Sequence, residues 1–387
     1  MSAQTQTPSF NRPDGLGQGR DFESRPKARD RQGSITQGDR LRLKDLSPAE
    51  ITQRLLAIGE KKHRGAQISK WLFQKGANSF DEMTDVSKPS RAKFAELFSV
   101  EPLLAPVHDQ AEPSGARRLL WKLQDDLFVD SVIIKANNSD HLTLCVSTQV
   151  GCRMGCRFCR TGTLGLKRNL TPGEIIGQLI WAKKLTPKNG PKITNVVFMG
   201  MGEPLDNPQN VLRALDVMTS PDYQALPMRG VTLSTVGAIP QLREIIDSGR
   251  LKARLTISLG SAVEETRSRL MPANLKWPLF ELKEVLRDFQ RLQPSNRITF
   301  SLVLLSGVND SLDQAKQLSK FLTGLKSKVN LIPFNPWPGA PFDRPSPQSI
   351  ESFQNFLLDK HHTVQIRDTK GASINAACGL LVGERVS

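Results

Sequence analysis

The stretch LTLCVSTQVGCRMGCRFC, Leu142 to Cys159, runs from a short apolar strand into a loop whose cysteines stand as C-x3-C-x2-C. Spacings of two or three residues let one loop bring several thiolates to a single iron-sulfur cluster. A 4Fe-4S cube needs four ligands, and Cys152, Cys156 and Cys159 supply three, so the spacing reads as a cluster with one iron left open. Zinc is the alternative metal, but structural zinc sites demand four protein ligands and usually come as two spaced pairs. His63, His108, His141, His361 and His362, the only histidines, all lie outside the loop. The remaining reading is three inert buried thiols, a common state for free cysteine.

The segments beyond the loop set the fold class. LTLCVS, ITNVVFMG, GVTLSTVG, ARLTISLG, RITFSLVLL and KVNLIPF read as strands alternating with amphipathic helices, with a last strand at TVQIRDT. Leu282, Val285, Leu286 and Phe289 stand at i, i+3, i+4 and i+7 of one helix. Another opens with Thr171, Pro172 and Glu174, a capping box with proline at its first position. Six strand-helix units predict an α/β fold with a parallel sheet curved into a partial (βα)6 barrel, its ligands gathered at the carboxyl ends of the strands. GMGEP, STVG, SLG and NPWPG sit at those ends, where glycines allow close backbone approach and Glu203, Ser234, Ser258 and Asn335 offer hydrogen bonds.

Outward from the core, residues 1–45 are poor in large apolar side chains and read as a disordered basic tail. Residues 46–105 read as a small helical module with stripes at Ile51, Leu55, Leu56 and at Ile68, Trp71, Leu72. Its cations Lys61, Lys62, His63, Arg64 and Lys70 suit either an RNA-binding accessory domain or a merely solvated face. RLLWKL and LFVDSVIIK, within residues 106–140, predict a β-hairpin connector to the core at 141–387.

The 387 residues carry 53 Lys+Arg against 38 Asp+Glu, a formal charge of +15 that favours nucleic acid as partner. From His141 to Gly173 there is no acid, while Arg153, Arg157, Arg160, Lys167 and Arg168 crowd the cysteine loop. A positive field there suits an anionic substrate, or only offsets the cluster's own negative charge. No signal-peptide pattern opens the chain and no run of about 18 apolar residues could span a membrane, so the expectation is a cytoplasmic protein with reduced thiols and no membrane partner.

A three-cysteine loop after the first strand with a Gly-Glu motif after the second resembles the radical S-adenosylmethionine (SAM) enzymes. LTLCVSTQVGCRMGCRFCRTGTLGLKRNLT, FMGMGEPLDN, LIPFNPWPGAPF and INAACGLL together resemble the RlmN/Cfr family of RNA methyltransferases from about residue 47 to the C-terminus. The resemblance implies one 4Fe-4S cluster on Cys152, Cys156 and Cys159, with SAM on the open iron as source of a 5′-deoxyadenosyl radical. It implies Cys378 as the methyl carrier (an S-methylcysteine intermediate), Cys145 as its partner in a transient disulfide, and Asp130, in place of a usual glutamate, as proton acceptor. Gly202, Glu203, Ser234, Ser258, Leu259, Gly260 and Asn335 match SAM-binding positions. Pro204 and NPWPG resemble the carbon-2 branch, which methylates an adenosine of 23S rRNA at the peptidyl-transferase centre and one 3′ of the anticodon in tRNA; the alternative is the carbon-8 branch. An electron donor such as flavodoxin or ferredoxin and a monomeric enzyme are further expectations. The chain departs from the family at Gly260 (usually His or Asn), Ser373 (Asp) and Leu380 (Gln). From another class, the rival is a non-catalytic zinc-dependent RNA-binding protein, which has no use for GMGEP or Cys378; a radical SAM enzyme acting on something other than RNA is a third reading.

Overall fold

The computed structural model describes residues 40–100, 105–136, 140–187, 189–367 and 370–384. The expected tail falls mostly outside them. Its last residues do not: β1 (Leu41–Arg42) pairs in parallel with β2 (Phe98–Ser99), and Leu43 is fully buried in the 3-10 turn between β1 and the first helix. Residues 41–45 therefore hold structure that the composition of residues 1–45 does not suggest, because one leucine and a strand pair anchor them.

The N-terminal module packs α1 (Pro48–Ala57), α2 (His63–Lys70) and α3 (Lys88–Leu97). Ser47 and Glu50 close a capping box over α1, satisfying amides that a helix start otherwise leaves open. Ile51, Leu55, Ile68, Leu72 and Phe94 fill its core, whereas Leu56 is 47 % exposed although it shares the apolar stripe. Lys61, Lys62, His63 and Lys70 face solvent.

A ten-stranded sheet carries the rest. β3 (His108–Ala111), β4 (Ala116–Lys122) and β5 (Phe128–Lys135) form an antiparallel meander whose last strand pairs antiparallel with β6 (His141–Cys145). The hairpin is thus an extension of the main sheet, and β3, whose residues HDQA are all exposed, is the strand that sequence pattern did not reveal. A small hairpin, β7 (Gln149–Cys152) with β8 (Gly165–Asn169), leaves the end of β6 and encloses the cysteine loop and the short α4 (Arg160–Thr163).

Beyond it, α5 (Pro172–Leu185), β9 (Lys192–Phe198), α6 (Pro208–Thr219), β10 (Val231–Thr235), α7 (Ile239–Asp247), β11 (Arg254–Ser258), α8 (Glu264–Leu270), α9 (Leu279–Leu292), β12 (Ile298–Leu304), α10 (Leu312–Leu322), β13 (Ser327–Pro333), α11 (Pro347–Asp359) and β14 (Val364–Ile366) alternate. Strands β6, β9, β10, β11, β12, β13 and β14 lie side by side in chain order and all parallel. Sequential parallel order with helical crossovers winds in one direction, the topology of the expected partial barrel, and sets every strand's carboxyl end on one rim. The Thr171–Glu174 capping box starts α5, and α9 buries Leu282, Val285, Leu286 and Phe289. No helix among the described residues is long and apolar enough to cross a membrane.

Candidate active site

The rim is fixed first by buried polar bonds. Trp121 Nε1 donates to Ser131 Oγ (2.9 Å), which donates to Gln178 Oε1 (2.6 Å); the Ser147 amide donates to the same oxygen at 2.9 Å. Ser147 Oγ donates to the Asp130 carbonyl (2.6 Å) and accepts from the Met201 amide (2.8 Å). These bonds, in a dry interior where an unmade one is costly, lock β5, the chain just past Cys145, α5 and the GMGEP turn to one another.

Within that turn Gly202 has φ +104°, and a Cβ there would lie 2.6 Å from Gln149 Cβ, so only glycine lets the turn close onto β7. The Glu203 amide donates to Gln149 Oε1 (2.8 Å). Buried Glu203 spans to the next strand end, its carboxylate accepting from the amides of Leu205 (3.0 Å) and Val236 (2.9 Å). Burial pushes its pKa up to about 7, against the pull of those amides. Ser234 Oγ and Ser258 Oγ, on adjacent strands, are 3.4 Å apart, and Leu259 is fully buried beside them.

The three loop thiols lie within electrostatic reach of one another. Cys152 is buried and Cys156 and Cys159 are half-buried. Burial raises all three pKa values, that of Cys152 to about 12, and the thiols of Cys152 and Cys159 each push Cys156 up further. Three mutually repelling thiols in an apolar wall of Met154, Phe158, Leu270, Met271 and Phe334 are poorly placed to ionise alone. They suit a positively charged inorganic centre that takes all three as thiolates. Among the described residues no three Cys, His, Asp or Glu side chains are grouped to hold a single ion. Cluster cysteines each bind a different iron, so this donor set fits a 4Fe-4S group better than zinc.

The C-terminal segment closes over the loop. The Arg160 amide donates to the Gly379 carbonyl (2.8 Å), Thr161 Oγ1 to the Leu381 carbonyl (2.5 Å), and Asn335 Nδ2 to the Cys378 carbonyl (3.3 Å). Cys378 retains exposed surface, yet surrounding protein raises its pKa and it acts electrostatically on Cys145, as Cys159 does on it. It lies within electrostatic reach of both. Cys145, at the end of β6, is buried and its thiol is raised well above the usual range, by burial first and by Cys378 second.

Asp130 is tied to the C-terminal segment. It is fully buried on β5, paired with Arg118 (Nε to Oδ1, 2.8 Å), and its Oδ2 accepts from the Val382 (3.2 Å) and Gly383 (2.8 Å) amides; Arg118 also donates to the Glu384 carbonyl (2.8 Å). Each of the bonds to its carboxylate brings a donor to an oxygen, as an ionised acceptor requires. Burial raises the carboxyl pKa and Arg118 opposes it. In this structure Asp130 clasps the C-terminal segment, a structural role beside the proton-acceptor role that the resemblance implies. At the segment's other end Glu112 accepts from the Gly371 amide and Ser373 Oγ, so the serine that replaces the family's aspartate pairs with a carboxylate that an aspartate would repel.

Two other departures and the charge reading acquire causes. Gly260 has φ +69°, and a Cβ there would lie 2.6 Å from Met271 Sδ, so the methionine occupies the space a side chain would take. Gly260→Asn should cost about 1–3 kcal/mol by overpacking. Adding Met271→Ala should then cost less than it does in wild type; strictly additive urea-denaturation energies in the double-mutant cycle would refute the shared space. Leu380 is buried, which suits leucine in place of a polar side chain. Of the five cations around the loop, Arg153 pairs with Asp206 (2.8 Å) and Arg168 with Glu174 (2.8 Å) and Asp125. Acids from just outside the stretch (Glu174) and from farther along the chain (Asp125, Asp206) pair with two of them, so the field is weaker than the acid-free stretch implied. Arg118, Glu112 and Gln149 gave no sequence signal; they matter only through partners far along the chain.

Comparison with known proteins converges on one group. Residues 41–100 match the family described as the ribosomal RNA large subunit methyltransferase N-terminal domain, and residues 146–318 match the radical SAM superfamily. The chain is 43 % identical over 342 residues to a dual-specificity RNA methyltransferase RlmN of Geobacter sulfurreducens, covering 88 % of this chain and 92 % of that protein. The RlmN of Marinomonas sp. is 42 % identical, covering 90 % and 95 %. A crystal structure of a radical SAM methyltransferase from Sphaerobacter thermophilus superposes with TM-score 0.83 at 36 % identity, covering 89 % of this chain and all of the other.

Proposed function

This chain belongs to the RlmN family of radical SAM RNA methyltransferases, and on that premise we propose that it methylates carbon 2 of an adenosine in 23S rRNA and of the adenosine 3′ of the anticodon in tRNA. The observation that carries this reading is the placement of Cys378 between the cysteine loop and Cys145, with its flanking backbone held by Arg160, Thr161 and Asn335.

Cys152, Cys156 and Cys159 would hold the cluster, and Gly202, Glu203, Ser234, Ser258, Leu259, Gly260 and Asn335 would line the SAM site. Together these groups supply one-electron cleavage of SAM when bound. The chain's own residues do the rest. Adenine carbon 2 is not nucleophilic, so the methyl group is carried to it on the Cys378 sulfur. The exposed face of Cys378 lets an unstacked base reach that carrier, and single-stranded loops are where such bases are found. Addition of the carrier carbon to carbon 2 leaves one electron to be passed back to the electron carrier and the carbon-2 hydrogen to be lost as a proton, for which Asp130 is the acceptor that the resemblance implies. Cys145 then gives up its thiol proton and its sulfur attacks Cys378 sulfur: the sulfur-sulfur bond forms as the sulfur-methylene bond breaks, its electron pair stays on the methylene carbon, and that carbon takes a proton. An external thiol reduces the disulfide for the next cycle. Burial keeps Cys145 protonated and unreactive until this point.

The test is mass spectrometry of digested 23S rRNA and tRNA transcripts after anaerobic incubation of reconstituted enzyme with SAM, reductant and electron carrier. The expected product is 2-methyladenosine. An 8-methyladenosine product would move the chain to the carbon-8 chemistry, and unmodified RNA would remove RNA as the substrate.

A further inference from the structure

Arg267 is an arginine without an acid. It lies on α8, is 1 % exposed, and no carboxylate among the described residues is within ion-pair distance of it. Its donors go to neutral acceptors: Nε to Asn274 Oδ1 (2.8 Å), one terminal nitrogen to the carbonyls of Ser258 (3.1 Å) and Leu259, the other to the Val236 carbonyl (2.6 Å). One acid, Glu264, acts on Arg267 from beyond ion-pair distance, and also accepts from Asn274 Nδ2 at 2.7 Å. Dipoles satisfy the hydrogen bonds of a guanidinium but do not cancel its charge, and a buried uncompensated charge is strongly disfavoured.

Its surroundings show what that charge faces. The Val236, Ser258 and Leu259 carbonyls stand at or just past the carboxyl ends of β10 and β11, on the rim that carries the cysteine loop. Leu270, Met271, Val236 and Phe158 form the apolar wall shared with the cysteines. Arg267 touches that wall directly, one terminal nitrogen 3.5 Å from Met271 Sδ and the other on the Val236 carbonyl. In a wall that excludes water the field is weakly screened.

We infer that Arg267 is the built-in counter-charge of the iron-sulfur cluster, a positioning residue that raises the cluster's reduction potential from behind that wall. This rests on the reading that the three cysteines hold a 4Fe-4S group. One-electron reduction adds a negative charge to that group, and a fixed cation beside it stabilises the reduced form more than the oxidised form. The four carbonyl and amide acceptors fix the guanidinium, so the charge cannot swing away to solvent.

The experiment is a redox titration monitored by electron paramagnetic resonance on anaerobically reconstituted wild type, Arg267→Lys, Arg267→Met and the double variant Glu264→Gln with Asn274→Asp. Arg267→Met removes the charge and should shift the midpoint to more negative potential. Arg267→Lys keeps the charge but not the fork, and should remain nearer wild type although both variants lose melting temperature. The double variant leaves Arg267 and its carbonyl bonds in place and moves the carboxylate from Glu264 to direct contact with Nε, the glutamine amide donating where Asn274 Nδ2 did, so it should also shift the midpoint negative; it carries the test if Arg267→Met does not fold. Midpoints equal to wild type in the folded, iron-loaded charge-neutralising variants would overturn the inference and leave Arg267 a mechanical tie. Wild type that takes up no iron would instead overturn the cluster reading.

Discussion

Cys378→Ala should yield a brown, iron-loaded protein that still forms 5′-deoxyadenosine from SAM under reducing conditions but transfers no methyl group to RNA. Cys159→Ala should lose iron, deoxyadenosine and RNA product together. The loss of methylated RNA in each is expected to be roughly 10³-fold or more, the scale on which removal of a covalent nucleophile acts. The contrast arises from placement. Cys159 belongs to the converging triplet, whereas Cys378 stands opposite it on a separate segment, within electrostatic reach of Cys159 and Cys145. Methylated RNA from Cys378→Ala at a rate near wild type would defeat the carrier role. Cys145→Ala adds a further check: with the carrier intact and the resolving thiol gone, RNA should accumulate covalently on the protein.

Asp130→Asn should destabilise the protein by about 3–5 kcal/mol, the cost of leaving a buried partner, here Arg118, without its counter-charge. The pair is almost wholly buried, at 5 % and 0 % side-chain exposure, so solvent screening does little to soften the loss. The Val382 and Gly383 amides lose a charged acceptor at the same time. Urea denaturation should record the destabilisation, and hydrogen exchange should rise at those amides. A second variant separates the clasp from chemistry. Replacing both partners, Arg118→Met with Asp130→Leu, should recover much of the stability, because two apolar side chains leave no orphaned charge. If Asp130 also accepts a proton, the stabilised double variant should still fail in releasing product; normal product release from it would refute that role.

The same residues show what was legible in the chain. The seven parallel strands were readable because strands buried on both faces are continuous apolar runs, and their helices carry a 3.6-residue stripe. The exposed strand β3 left no such run. The cysteine loop was readable because its ligands are neighbours in sequence, and Gly202 and Glu203 because a glycine-rich turn after a strand has few other uses. The structural bonds of Asp130 were not legible, since its partners lie 12 residues before it and 252 and 253 residues after it. The positive field was overestimated for the same reason: Asp125, Glu174 and Asp206 lie outside the stretch they neutralise.

Sequence alone therefore determined the elements, their order and the thiol triplet, because strand, helix and loop chemistry are set by residues within one or two turns of each other. Tertiary structure alone decided that Cys378 stands beside Cys145, that Asp130 clasps the C-terminal segment, and that Arg267 is buried without an acid. Charge pairing and desolvation depend on which distant groups share a dry volume, and only the folded chain brings those groups together.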